Sequence, residues 1–266
     1  INGALVFALG FTVMMFSFVV GHFCSKLFKL EGPTSNIFKM HFMFGNVIYL
    51  AFPLISSMYE KEPKALIYAM FYSLANDALL WTLGIYLVNR HNKHGWKENA
   101  KHLVNANTIA FASGLLIIFV KLGFGQYLEM VPAINTVSGF LYRTFHDLGK
   151  TTIYLSMLFI GLMLSEIKIS GIKDLKNRVP TLILSLFKLV IIPAAVLLLL
   201  SFTGEILDPL VIAVIVLQIG MPCGTIVSAL AAQYESDYLL ATENVFFTTI
   251  LGIITMPMLV LLITKI

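Results

Sequence analysis

Charge is what this chain has least of. Asp, Glu, Lys and Arg make up only 12% of its 266 residues, about half the ~25% of a soluble globular domain. That scarcity excludes an ordinary water-facing surface. Cysteine is almost as rare. Cys24 and Cys223 are the only two, both inside or beside apolar segments and without a CxxC pair. This argues against a disulfide framework and a zinc site, and the thiols read as small packing residues. No phosphate-binding loop, GxSxG elbow or HExxH motif is present, which argues against an ATP-driven pump and the common soluble-type hydrolases; an enzyme is not expected. The net charge of +4 does not point to nucleic acid, because the basic residues sit in short loops between apolar runs. The chain opens at Ile1 with no initiator Met or basic leader, so no signal peptide is visible.

What is abundant is apolar surface. Hydrophobic residues make up 58% of the chain and the mean hydropathy is +0.88. There is room for about eight segments of ~20 residues, the length that crosses ~30 Å of hydrocarbon. The expected class is an all-α polytopic membrane protein. Apolar runs predict spans at 3–25, 37–59, 65–89, 104–122, 130–167, 180–202, 209–233 and 238–264. The run 130–167 is interrupted by "RTFHDLGK" and reads as one long or bent crossing. Basic loops holding Lys26, Lys29 and Lys39, then Arg90, Lys93, Lys97 and Lys101, then Lys168, Lys173, Lys176 and Arg178, are expected in the cytoplasm. Parity then places both Ile1 and Ile266 outside, in a multi-pass plasma-membrane protein.

Two of the spans contain breaks. "FGNVIYLAFPLISSMYEKEPKALIYAMFYSLAN" (44–76) and "GMPCGTIVSALAAQYESDYLLATENVFFTTIL" (220–251) each pass a Gly-flanked break, then a half-helix ending in Tyr-Glu, then a polar turn into another span. One enters from a basic loop and the other from the acidic "TGEILD", so the expected relation is an inverted repeat, as in secondary transporters. Irregular backbone at membrane depth is tolerated only where protein or a water-filled cavity covers it. Half-helix N-termini present orphan N–H groups suited to an anion. Gly45, Asn46, Met221, Pro222, Cys223, Gly224 and Thr225 are thus the expected substrate-binding residues, at an X-shaped crossing of two broken helices.

The same residues resemble the auxin efflux carrier family, which includes plant PIN-formed carriers and bacterial malate and malonate permeases. "FGNVIYLAFPL" is similar to the family's first crossover, "YSLANDALLWTLGIYLV" to the following span, "GMPCGTIVSALAAQY" to the second crossover and "ATENVFFTTILGIITMPML" to the last helix. The resemblance implies ten helices in two inverted sets of five, of which this chain supplies eight. It implies a core, or transport, domain from 1–90 and 180–266, with a scaffold domain that includes 104–167. It further implies elevator-type motion and a homodimer through the scaffold. It places Asn46 and Pro222 at the crossing, and Lys188 where many members carry Arg. Asp77, where bacterial members often have a second Asn, is a departure.

Ionisable and amide groups deep in spans are functional candidates by default. Ser73, Asn76, Asp77, Gln218, Glu243 and Asn244 are the candidates for coupling to sodium or protons. Lys188 is within snorkelling reach of the inner loop, with holding a carboxylate as the other reading. Arg143, His146, Asp147 and Lys150 read as a solvated scaffold surface, and His91, His94 and His102 form no convincing metal set. No cofactor or metal is expected. The expected function is secondary transport of small organic anions, mono- or dicarboxylates, across the lipid bilayer. The alternative is a membrane receptor that binds a small molecule without moving it.

Overall fold

The computed structural model describes residues 2–90, 178–203 and 206–264, with scattered positions between 109 and 162. The predicted spans 104–122 and 130–167, and with them most of the expected scaffold, lie largely outside the described residues. So do His91, His94, His102 and Lys150. Arg143, His146 and Asp147 are on an exposed helical stretch, where Tyr142 stacks on His146 at 5.4 Å.

The described residues are helical, and no strand is formed among them. Four helices are long and apolar enough to cross a membrane: Gly3–Leu27, Lys64–Asn89, Val179–Ser201 and Tyr238–Ile263. In chain order, α1 is Asn2–Leu27, α2 Gly32–Met43, α3 Ala51–Met58, α4 Lys64–Asn89, α5 Val179–Ser201, α6 Pro209–Ile219, α7 Thr225–Gln233 and α8 Tyr238–Ile263. The predicted spans 37–59 and 209–233 are therefore each two short helices, α2–α3 and α6–α7, separated by unwound backbone.

Local chemistry sets the ends. Pro33, Pro180 and Pro209 open α2, α5 and α6, where the missing N–H would have had no intrahelical partner. Asp208 and Asp237 cap α6 and α8 by accepting the Leu210 and Leu240 N–H groups. Pro53, seven residues after Asn46, sits in the opening turn of α3, again where no donor is required. Two wider π turns interrupt long helices, at Leu80–Gly84 in α4 and Phe187–Ile191 in α5. The second directly precedes Pro193, whose lost N–H the wider turn accommodates.

α1 packs along α2 and α4; α6 lies among α1, α4 and α5; α8 is against α7, α2 and α5. The apolar core includes Phe38, Phe42, Phe44, Tyr72, Ile215 and Val245. At its centre the two breaks meet. Gly45 and Cys223 face one another as an antiparallel bridge: the Asn46 N–H donates to the Pro222 carbonyl at 2.8 Å, and the Gly224 N–H to the Phe44 carbonyl at 3.1 Å. Two unwound segments with few intrahelical partners satisfy one another, which matters where no water can replace the bonds.

Close approach requires small residues. A Cβ on Gly224 would stand 3.0 Å from the Gly45 carbonyl oxygen, and one on Gly45 would be 3.2 Å from Met221 Cβ. Gly224→Ala is expected to destabilise the protein by ~1–3 kcal/mol, as overpacking does, because the obstructing atoms are backbone. Gly114→Ala, on an exposed helical position with no described atom within 4 Å of its Cβ, is expected to cost nothing and to raise stability by up to ~1 kcal/mol. Thermal unfolding of the two variants in one detergent checks this.

Candidate functional site

The two breaks end differently. In the first, residues 44–50, Asn46 organises the turn: its backbone carbonyl accepts the Leu50 and Ala51 N–H groups, each at 3.3 Å, and its Oδ1 accepts the Tyr49 N–H at 3.3 Å. This leaves Asn46 Nδ2 without a protein partner among the described residues. In the second, α7 follows Gly224 with no side-chain cap; the Gly224 and Val227 N–H groups donate to the Phe44 and Gly224 carbonyls, each at 3.1 Å, so the Thr225 and Ile226 amides are the ones that stay available. Cys223 is anchored from behind, its N–H donating to Thr248 Oγ1 at 3.0 Å while that hydroxyl donates to the Asn244 carbonyl at 2.7 Å.

A cavity of about 370 Å³ opens over the crossing. Its lining brings together Asn46, Tyr49, Asn76, Asp77, Trp81 and Thr225, with Gly45 and Gly224 at its floor. Four of the seven residues expected to bind substrate, Gly45, Asn46, Gly224 and Thr225, therefore share a cavity with two of the expected coupling residues. Met221 and Cys223 are buried in the core, and Pro222 packs close to Gly252; none of the three lines the cavity. Asn76 donates from Nδ2 to Asp77 Oδ1 at 3.4 Å.

The remaining coupling candidates are placed elsewhere. The Ser73 hydroxyl donates to the Met70 carbonyl at 2.9 Å. Gln218 is fully buried, with Nε2 donating to the Ala69 carbonyl at 3.4 Å and Oε1 unpartnered. Glu243 is 3.5 Å from Arg178 across a separate cavity of about 320 Å³ that Thr34 and Thr181 also line. Asn244 hydrogen-bonds through Nδ2 to His41 Nδ1 at 3.1 Å.

Lys188 does not snorkel. It is fully buried, and its Nζ donates to the Phe42 and Met43 carbonyls at 3.0 and 3.2 Å. Those are final carbonyls of α2, left without helical partners by the break, and a cationic side chain also suits the negative end of a helix. The π turn at Phe187–Ile191 carries this lysine. Sequence reasoning missed this bond because the partners lie 145 and 146 residues apart. It missed His41 as well, although a histidine inside "KMHFMFG" was a visible signal.

The family model of membrane transport proteins matches residues 2–260, nearly the whole chain. The chain belongs to that family. It is the family of the auxin efflux carriers, to which the crossover motifs were compared, so this membrane transport protein is a membrane-embedded transporter in general class. No curated protein matches the chain.

Within this transporter, Lys188→Met is expected to lower stability by ~2 kcal/mol, since it keeps the volume but orphans two buried carbonyls. A chemical or thermal unfolding series checks it; an unchanged midpoint would show that the cap contributes nothing.

Proposed function

We propose that this protein is a secondary transporter of small carboxylates, with substrate held in the cavity over the crossing. One observation carries the reading: a cavity at the depth of two helix breaks gathers an uncapped helix N-terminus, the free amide of Asn46 and the Thr225 hydroxyl. Helix N-terminal N–H groups aimed at an anionic group are the recurrent solution in transporters built from broken helices. Asn46 does two jobs on this reading: its oxygens hold the turn and its nitrogen faces the substrate.

The units α2–α3 and α6–α7, each followed by a long helix, are read as the matched halves of an inverted repeat. The core built from 1–90 and 180–266 then moves, elevator-fashion, against a scaffold that includes 104–167, and a homodimer forms through that scaffold. The basic loops face the cytoplasm at the plasma membrane. Coupling to sodium or protons is assigned to the Asp77 side of the cavity.

Proteoliposomes carrying the full-length protein are expected to take up labelled carboxylates saturably from a panel of hydroxy, dicarboxylic and amino acids. Asn46→Ala is expected to reduce that uptake by ~10-fold or more, the scale of losing a positioned polar contact. Binding without uptake in wild type would replace the transporter reading with a receptor.

A further inference from the structure

The cavity has two chemically distinct walls. One offers donors: Asn46 Nδ2, the Thr225 and Ile226 amides at the start of α7 and the Thr225 hydroxyl. The other, on α4, offers an acceptor, the Asp77 carboxylate. Asn76 gives its amide nitrogen to Asp77 Oδ1 at 3.4 Å, while its own Oδ1 is buried away from the cavity. Among the described residues that long contact is the one side-chain hydrogen bond Asp77 receives. Trp81, one turn beyond Asp77, lines the same wall and offers an aromatic surface that favours a cation.

No Lys or Arg lines the cavity among the described residues, and Lys188 is committed to the carbonyls of α2. A simple organic anion would bring a second negative charge beside Asp77, which is unfavourable away from water. A molecule with a carboxylate at one end and an ammonium at the other satisfies both walls. The ammonium supplies three donors and the carboxylate only acceptors.

We infer that the substrate is an amino-carboxylate, its carboxylate set on Asn46 and the start of α7 and its ammonium on Asp77. The inference rests on the cavity being the transport site, and narrows the carboxylates to those that carry an amine.

The test is uptake by proteoliposomes of the full-length protein, comparing labelled alanine, β-alanine and γ-aminobutyrate with labelled propionate, lactate and malate. At least one amino acid is expected to be taken up saturably, with every amine-free acid ~10-fold or more weaker, since a site built for a donor rejects the analogue lacking it. Asp77→Asn is expected to remove most of that preference. Uptake of amine-free acids that no amino acid competes with would overturn the inference and leave the transport reading standing. No flux with either class would overturn both. Should Asp77→Asn not fold, the wild-type preference decides alone, and Asp77→Glu, keeping the charge, is expected to retain it.

Discussion

Two hydrogen bonds between unwound segments hold the centre of this molecule: Asn46 to Pro222 and Gly224 to Phe44. An orphaned backbone group in a bilayer costs several kcal/mol, so neither break could persist alone at that depth. Each supplies what the other lacks. Pro222 has a carbonyl to give and no N–H to satisfy, while Cys223, the one neighbour that might have been stranded, is met by Thr248. The glycines follow from this pairing, because a side chain at 224 would meet the carbonyl of Gly45. Lys188 follows too, since stopping α2 at Met43 leaves carbonyls that only a buried donor can reach.

The crossing is asymmetric. One break turns its polar groups inward through Asn46, and the other leaves α7 uncapped toward the cavity. Paired backbone thus carries a small set of unspent donors, facing the Asp77 carboxylate on α4. Preorganisation of this kind lowers the ordering that binding must otherwise impose. On the proposed transport reading the core moves as a unit, because the site is divided between segments that are bonded to each other.

Much of the fold was legible because each of its elements leaves a local signature. Apolar runs located α1, α4, α5 and α8 to within a few residues, and glycine, asparagine and proline located both breaks. Pairings across the chain were not legible. Nothing in "SLFKLVIIP" reveals that Lys188 meets carbonyls some 145 residues earlier, nor that Glu243 turns to Arg178 instead of joining its sequence neighbour Asn244 near His41. Adjacent residues on a helix point about 100° apart, so side-by-side polar residues rarely share a destination. Asn76 and Asp77 do share one cavity, and they do so because the amide of one reaches the carboxylate of the other.

The most direct test of the central claim is residue-resolved amide hydrogen exchange on the full-length protein in a lipid nanodisc. Asn46 and Gly224 lie outside any helix, and ordinary loop amides beside a cavity exchange quickly. The crossing predicts protection of both amides comparable to the interiors of α1 and α8, because each exchanges only when the core opens. Loop-like exchange at Asn46 and Gly224, with α1 and α8 protected, would contradict the account: the breaks would then be unpaired, and the cavity would have no fixed floor.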